Sequence, residues 1–537
     1  MLNNMKWFLI KVILLTCNNL ILINAEYYSS VHKMSTLMDT ELKILDNMEI
    51  FIRKNEDKLE FLKEKLAVYE REHEEALAKG SEYLENPLNK YMLIKRLSSQ
   101  WEGIENVMQY KAGEKTLKKI KKHNIQNSEY EGGIDGLLRL QDVYRLNTSD
   151  IAKGILQGVQ YDFQFETRHC YDIGQRALAT DFFRLAHSWL QEALKRFSEP
   201  TETENENDFS FTKLEKLDIE LALVNAKYKL GDISGANQTY VDLINLYPAS
   251  ERVAKLYAEF SEESVNKATT EVDYTIDHDP PVKNLASASQ SLLYKYTCAN
   301  ILKKTPSEER DLRCSYITET HPFLILAPIK VEEINHFPLL LVFHDIISNN
   351  EIALVKNLTT AIQRATVMGT NSSIVSDVRT SQFTFVSVKK HPVLRVIDQR
   401  VEDMTNFNMK YSEEHQFANY GIGGHYGEHH DFFYEAFMTP ERVSLFEMGN
   451  RIATVLIYLS DVEQGGGTAF PYMKSHLLPK KGSAAFWYNL HASGVGDKRT
   501  LHGACPIIVG SKWVQNRWIR EHDQSDRHPC LLYDDSL

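Results

Sequence analysis

Several things are scarce in this chain, and each scarcity narrows what it can do. Six cysteines stand in 537 residues. None of Cys170, Cys298, Cys314, Cys505 or Cys530 has metal-ligand spacing. There is no basic excess: net charge is −12 with no dominant basic stripe, which argues against a nucleic-acid partner. Beyond residue 25 no stretch is long and apolar enough to cross a bilayer. The helix-borne H-E-x-x-H of zinc hydrolases is missing. Glycine is absent before Gly80, so the first part of the chain reads as uninterrupted helix.

The start is different in texture. Lys6 and Lys11 lead into an apolar run from Val12 to Ile23, broken at Asn18-Asn19, and Asn24-Ala25 offers a cleavage point. Residues 1–25 therefore read as a signal peptide, with an uncleaved anchor as the rival. The mature chain then meets an oxidising compartment with five cysteines, an odd number, so one is free or pairs with another chain. Cys170 lies in a helical pattern and reads as a buried free thiol. Asn147, Asn237, Asn357 and Asn371 each begin an N-x-S/T sequon, so the chain is expected to be a glycoprotein. It ends Asp535-Ser536-Leu537, with no retention tetrapeptide.

Leu45, Met48, Ile52, Asn55, Leu59, Leu62, Leu66 and Tyr69 fall at alternating three- and four-residue steps, a heptad seam. Two readings fit: a coiled coil with Asn55 fixing its register, or an amphipathic helix packed within its own domain. Asn86-Pro87 breaks the pattern, a second helix spans about 90–110, and 111–135 reads as a loose connection. Residues 136–260 look like helical hairpins. Gly231, Ala236, Tyr240, Leu243 and Pro248 fit the second half of a tetratricopeptide (TPR) repeat, and Ala177, Trp189 and Ala193 supply packing in an earlier hairpin. The acidic run Glu199–Asp208 is a solvated loop, and 261–290, with Pro280-Pro281, is a polar linker. From about Phe323 short β-rich runs dominate: Phe323–Leu326, Leu339–Phe343, Phe383–Val388, Gln416–Tyr420, Thr454–Leu459, Ser483–Tyr488, Cys505–Val509 and Trp513–Ile519. Ser348 and Glu351 form a capping box for one helix between them. This texture predicts a double-sheet jelly roll. Gly465-Gly466-Gly467 reads as a tight turn.

The stretch Tyr420–Asp431, Y-G-I-G-G-H-Y-G-E-H-H-D, ends in His429-x-Asp431. Residues i and i+2 of an extended strand share a face, so His429 and Asp431 can grip one ion while His430 points away. With a distant histidine they complete the two-histidine, one-carboxylate triad of non-haem iron(II), which leaves coordination positions open. Downstream, Leu501-His502-Gly503-Ala504-Cys505-Pro506 precedes Ile507-Ile508-Val509-Gly510-Ser511-Lys512-Trp513. Gly510-Ser511 reads as a hairpin turn, placing His502 on one strand and Lys512 at the start of its partner. A lysine beside such an ion suits a 2-oxo-diacid whose keto-acid end chelates the metal and whose far carboxylate pairs with the ammonium. Zinc is the rival metal, and Lys512 with the jelly-roll texture favours iron. His425, His430 and His491 are not expected to be ligands.

The segments Tyr420–Gly424, Gly449-Asn450-Arg451-Ile452-Ala453-Thr454, Phe486-Trp487-Tyr488-Asn489-Leu490 and His502 through Trp513 carry a resemblance to the collagen prolyl 4-hydroxylase α-subunit family, over nearly the whole mature length. The resemblance implies an iron(II)/2-oxoglutarate dioxygenase with ligands His429, Asp431 and His502. Lys512 would be the 2-oxoglutarate lysine, and Tyr420 and Tyr458 would line the co-substrate pocket. It implies 4-hydroxylation of peptidyl proline in collagen-like or other proline-rich proteins, coupled to decarboxylation of 2-oxoglutarate to succinate and CO2, with ascorbate as a further cofactor. It implies self-association through the N-terminal helices and a protein disulfide isomerase β subunit in an α2β2 tetramer, retained in the endoplasmic reticulum lumen. Local cysteine spacing suggests the pairs Cys298–Cys314 and Cys505–Cys530, and the resemblance implies the same. The expected organisation is signal peptide 1–25, helical coiled-coil dimerisation domain 26–135, TPR-like peptide-binding domain 136–260, linker with a local disulfide 261–320, and dioxygenase domain 321–537.

Two features depart from the family pattern. Phe182, Phe183 and His187 stand where tyrosine-rich sequence is expected, and Asn225 sits one turn before Tyr228. The lost hydroxyls weaken or redirect peptide binding by on the order of 1–3 kcal/mol. Arg520 replaces an expected histidine, and its cation would assist Lys512 or affect 2-oxoglutarate affinity. The second functional reading is a peptide-binding scaffold subunit whose jelly roll no longer turns over; the intact ligand set and the lysine favour the enzyme.

Overall fold

In a computed structural model, residues 27–198, 214–256, 269–278, 281–282, 284–359, 362–368, 373–434 and 447–532 are described. The leader, the acidic run 199–208, Asn371 and Pro280 lie outside them. The chain forms two compact units, residues 33–127 and residues 1–32 with 128–537. Among the described residues no helix is long and apolar enough to cross a membrane.

The smaller unit is helical. One helix, Val31–Lys79, runs for 49 residues, as the glycine-free sequence dictates. Asn86 caps the helix that begins at Pro87. The expected second helix is interrupted by a π turn at Arg96–Gln100 before Trp101–Gln109. The seam is used in two ways. Asn55 donates to the Phe51 and Ala112 carbonyls of its own chain, and Lys58 reaches the Met108 and Tyr110 carbonyls. Leu45, Met48, Ile52, Leu59 and Leu66 nevertheless remain 44–56% exposed. The stretch 111–135 is not the loose connection expected. It holds Glu114–Lys121, opened by Gly113 in the left-handed region, and the start of Asn127–Tyr144.

In the larger unit, Thr167–Ala179, Phe183–Arg196, Lys216–Lys229 and Ile233–Leu246 make two helical hairpins. Ala177, Trp189 and Ala193 are buried among them with Cys170, a free thiol whose pKa burial pushes up to about 11. The expected linker is partly pinned. Residues 269–278 lie against the hairpins: Thr270 N–H donates to the Gly231 carbonyl, and Tyr274 donates to Asp232 and stacks on His187 at 4.1 Å. Asp277 accepts from Thr148 N–H. These polar groups find fixed partners, and each such bond contributes about 0.5–1.5 kcal/mol to holding the segment.

The C-terminal part has a nine-stranded and a four-stranded sheet. The nine-stranded sheet is built around Arg451–Tyr458, flanked by Ala484–Tyr488 and Trp513–Arg520. Arg451–Tyr458 and Ala484–Tyr488 are apolar on both faces over most of their length because both faces are covered. Val455, Ile457 and Phe486 meet the helices Asn349–Asn357 and Pro392–Thr405. The alternate residues Leu456, Tyr458, Ala485 and Trp487 meet Phe470, Leu477 and Ile507 on the other side. Ser348 and Glu351 form the expected capping box. Phe323–Leu326, expected as a strand, is instead the 3-10 turn Pro322–Ile325, because the His321 side chain caps Phe323 N–H and Pro322 presets the first position.

Two further expectations fail. The disulfide is Cys298–Cys505, with a Cα separation of 5.6 Å and a sequence separation of 207. Cys314 and Cys530 are unpaired and exposed. The helix Gln290–Cys298 packs on the strand ahead of Cys505, with the Tyr294 hydroxyl donating to the Ala504 carbonyl. Tertiary packing, not sequence proximity, selects the partner. The Gly510-Ser511 hairpin is also absent. Ile507–Val509 pairs with Gln464–Gly465, while Trp513–Arg520 lies in the nine-stranded sheet between Arg451–Tyr458 and His415–Asn419. Gly510, at φ 104°, carries the chain from one sheet to another.

Candidate metal and co-substrate site

His429 closes the strand Tyr426–His429, and His502 opens His502–Ala504; the two residues are register partners in the four-stranded sheet. Asp431 lies just beyond its strand. His429 Nε2 is 3.7 Å from Asp431 Oδ1, and His502 Nε2 is 3.7 Å from Asp431 Oδ2. One ligand atom from each lies within 4.8 Å of the others, a grouping able to hold a metal ion. Each imidazole has its Nδ1 2.9 Å from a backbone carbonyl, that of Gly427 or Thr500. An Nδ1–H donated there leaves Nε2 as a lone pair aimed at the common point. Burial, then the neighbouring His502, holds the His429 pKa well below its usual value, so the ring is neutral. Burial alone would raise the Asp431 carboxyl. The two imidazoles, Arg451 and the Thr454 hydroxyl outweigh it and hold the pKa at about 2. Two imidazoles and one ionised carboxylate are a donor set that suits a divalent iron.

The supporting residues are nonlocal. Thr454 donates to Asp431 Oδ2 at 2.7 Å and accepts from Asn489 Nδ2 at 2.9 Å. Arg451 is held by both oxygens of Glu413 and donates to the Asp431 carbonyl. Tyr426 stacks on His429 at 3.6 Å and carries the Arg379 guanidinium on its ring. Arg379 and Tyr426 both border the cavity next to the triad. His430 turns away, to the Lys498 carbonyl and the Tyr434 hydroxyl. His425 is buried, paired through its backbone with Thr380.

Lys512 and Tyr420 border the same cavity as the triad. Lys512 is 1% exposed and its ammonium contacts the Gly467 carbonyl at 3.3 Å and the Tyr420 ring at 5.5 Å. Among the described residues no carboxylate pairs with it, and burial alone lowers its pKa to about 7. The triple-glycine turn thus serves the site: Gly465 and Gly466 take positive φ and present the Gly467 carbonyl. Tyr420 is buried, which pushes its pKa up to about 12. Tyr458 stands one residue behind the cavity, its hydroxyl 2.8 Å from that of Thr468, which borders it. Arg520 does not assist Lys512. It sits at the other end of the strand and pairs with Glu413 at 2.9 Å.

A buried triad and a lone buried lysine on one cavity, between two β-sheets, define the iron(II)/2-oxoglutarate oxygenase class. Residues 415–520 match the 2OG-Fe(II) oxygenase superfamily, and residues 30–158 match the prolyl 4-hydroxylase alpha-subunit N-terminal region. Prolyl 4-hydroxylase subunit alpha-1 of Homo sapiens is 33% identical over 524 residues, covering 94% of this chain and 96% of that protein. The Caenorhabditis elegans subunit alpha-2 is 31% identical, covering 97% and 96%. The viral collagen prolyl hydroxylase from Paramecium Bursaria Chlorella virus-1, solved with 2-oxoglutarate, is 25% identical with a TM-score of 0.28, over 34% of this chain and 95% of that one. The chain belongs to the prolyl 4-hydroxylase alpha-subunit family. Its reaction is hydroxylation of peptidyl proline coupled to oxidation of 2-oxoglutarate, with Fe(2+) as the metal.

Proposed function

We propose that His429, Asp431 and His502 hold the iron, that Lys512 takes the far carboxylate of 2-oxoglutarate, and that the substrate is proline in collagen-like or other proline-rich chains. The observation that carries this reading is the pairing of a complete donor triad with a buried ammonium that has no carboxylate of its own on the same cavity. Bound iron supplies the chemistry that couples decarboxylation of 2-oxoglutarate to insertion of oxygen at C4 of proline. The chain's own part is positional. The Nδ1 bonds to Gly427 and Thr500 fix both rings, and Thr454 and Arg451 orient Asp431. Lys512 and Tyr420 orient the diacid, and Trp487 and Trp518 help exclude water. L-Ascorbate belongs to this reading as the agent that restores oxidised iron.

The two facing sheets support a double-stranded β-helix jelly roll, and the two helical hairpins support a TPR-like peptide-binding domain. We assign 1–25 to a cleaved signal peptide, 26–135 to dimerisation, 136–260 to peptide binding, 261–320 to a linker and 321–537 to the dioxygenase. The exposed seam of Val31–Lys79 supports self-association. A protein disulfide isomerase β subunit would complete an α2β2 assembly in the endoplasmic reticulum lumen, and glycosylation at the exposed Asn147, Asn237 and Asn357 fits that compartment. The test is purified assembly with iron(II), 2-oxoglutarate and a panel of proline-containing peptides including (Pro-Pro-Gly) repeats. Hydroxyproline formed in step with succinate is expected. Absence of peptide-dependent succinate across the panel would leave a scaffold subunit.

A further inference from the structure

We propose that the segment Tyr27–His32 is a positioning element for 2-oxoglutarate, acting on the main chain at Lys512 through the side chain of Asn419. This rests on Lys512 being the anchor for the far carboxylate, as proposed above.

Ser29 and Ser30 are fully buried, far in sequence from the strands they touch. Asn419, also fully buried, is the shared residue. Its Nδ2 donates to the Lys512 carbonyl at 3.1 Å and to Ser511 Oγ at 3.2 Å. Its Oδ1 accepts from Ser30 Oγ at 2.7 Å and from His32 N–H at 3.0 Å. A carboxamide offers two donor hydrogens and two acceptor lone pairs, so every one is engaged, two toward Lys512 and two toward the N-terminal segment. Rotation of the amide would break bonds on both sides at once.

The contact continues along the pocket wall. Val31 N–H donates to the Tyr420 carbonyl, and Ile422 N–H to the Tyr28 carbonyl. Gln382 Nε2 donates to Ser29 Oγ at 2.9 Å. The approach is so close that a Cβ on Gly421 would lie 1.9 Å from the Tyr28 carbonyl oxygen, which requires glycine there. Tyr420, whose ring lies under the Lys512 ammonium, is therefore tied to the segment by its own carbonyl and through its neighbours on both sides.

The sheet does not need these bonds for its register. Asn419 pairs with Trp513 on one side and Gln382 on the other. Removing the segment's contribution should loosen the placement of Lys512 and Tyr420 without dismantling the strands.

The experiment compares full-length wild type with Ser30→Ala, Gly421→Ala and Lys512→Ala, by calorimetric titration of 2-oxoglutarate with Mn(II) in place of iron, and by steady-state turnover with iron. Ser30→Ala removes one oxygen and no packing volume of consequence. It is expected to raise the Kd and KM for 2-oxoglutarate about three- to tenfold. Both kcat at saturating 2-oxoglutarate and the KM for peptide should stay within about twofold of wild type. Gly421→Ala, which must push the segment away, is expected to raise the same constants further; if it does not fold, Ser30→Ala decides. An unchanged Kd in Ser30→Ala beside a strong effect of Lys512→Ala overturns this proposal and leaves the anchor standing. A fall in kcat with Kd unchanged also overturns it, as that is what a purely structural support would give. An unchanged Kd in Lys512→Ala removes the anchor and this proposal with it.

Discussion

The oxygenase site and the helical hairpins treat buried polar groups in opposite ways. Around the triad Thr454 and Asn489 form a hydrogen-bonded chain to Asp431, yet among the described residues Lys512 has no carboxylate in ion-pair reach. On the hairpins, His187 is neutral, its pKa lowered to about 4 by burial and by Lys227 and Arg184, and it is already covered by the chain's own Tyr274. One site is kept open for a ligand; the other has been filled from within. The difference teaches where specificity resides. The candidate triad lies on a cavity inside a two-sheet frame, while on the hairpins His187 already has Tyr274 of the same chain against its ring.

That contrast can be broken most forcefully at the metal. Asp431→Asn removes the one carboxylate of the proposed triad, and turnover is expected to fall by roughly a thousandfold or more with the circular dichroism spectrum unchanged. Lys512→Met keeps volume and loses charge. The KM for 2-oxoglutarate should rise about 100-fold with the KM for peptide unchanged. The charge itself can be titrated. Burial lowers the Lys512 pKa to about 7, so the ammonium is present below that pH and lost above it in the free enzyme. Affinity for 2-oxoglutarate, followed by calorimetry, is expected to weaken as pH rises above about 7, by up to tenfold per unit. On the helical side, Tyr274→Ala uncovers His187, and proline-rich peptide affinity is expected to rise about threefold to tenfold in a fluorescence binding assay. The smallest effect sharpens the boundary between the regions. Arg520→Gln should cost about 1 kcal/mol in a denaturation curve, because Glu413 keeps Arg451, and should leave 2-oxoglutarate affinity unchanged.

That the candidate triad and Lys512 come together on one cavity was legible because their chemistry is carried by local spacing. His429 and Asp431 are two apart, and His502 and Lys512 lie in one short segment. The path of the chain between His502 and Lys512 was not legible: a turn that reads as a hairpin instead passes the chain between sheets. The supports Thr454, Asn489, Glu413 and Arg379 were missed for the same reason, since each is brought in across strands. Gly465-Gly466-Gly467 was legible as a turn but not as the donor of the carbonyl beneath Lys512. The helices were read well where periodicity was long, as in Val31–Lys79, and poorly at 111–135, where short helices are stabilised by contacts such as Lys54 with Thr116. Cysteine pairing depended on which helix packs on which strand, information that spacing does not hold.

Lys512 has one more consequence. A buried ammonium with no carboxylate in ion-pair reach among the described residues weakens the empty protein, and a dicarboxylate that enters relieves that burden, so filling the cavity adds to the stability of the whole fold. At a hundredfold excess over its dissociation constant a ligand contributes about 2.7 kcal/mol. The abundance of this chain in a cell would then follow the supply of a central metabolite: starved of it, the protein unfolds and is cleared sooner.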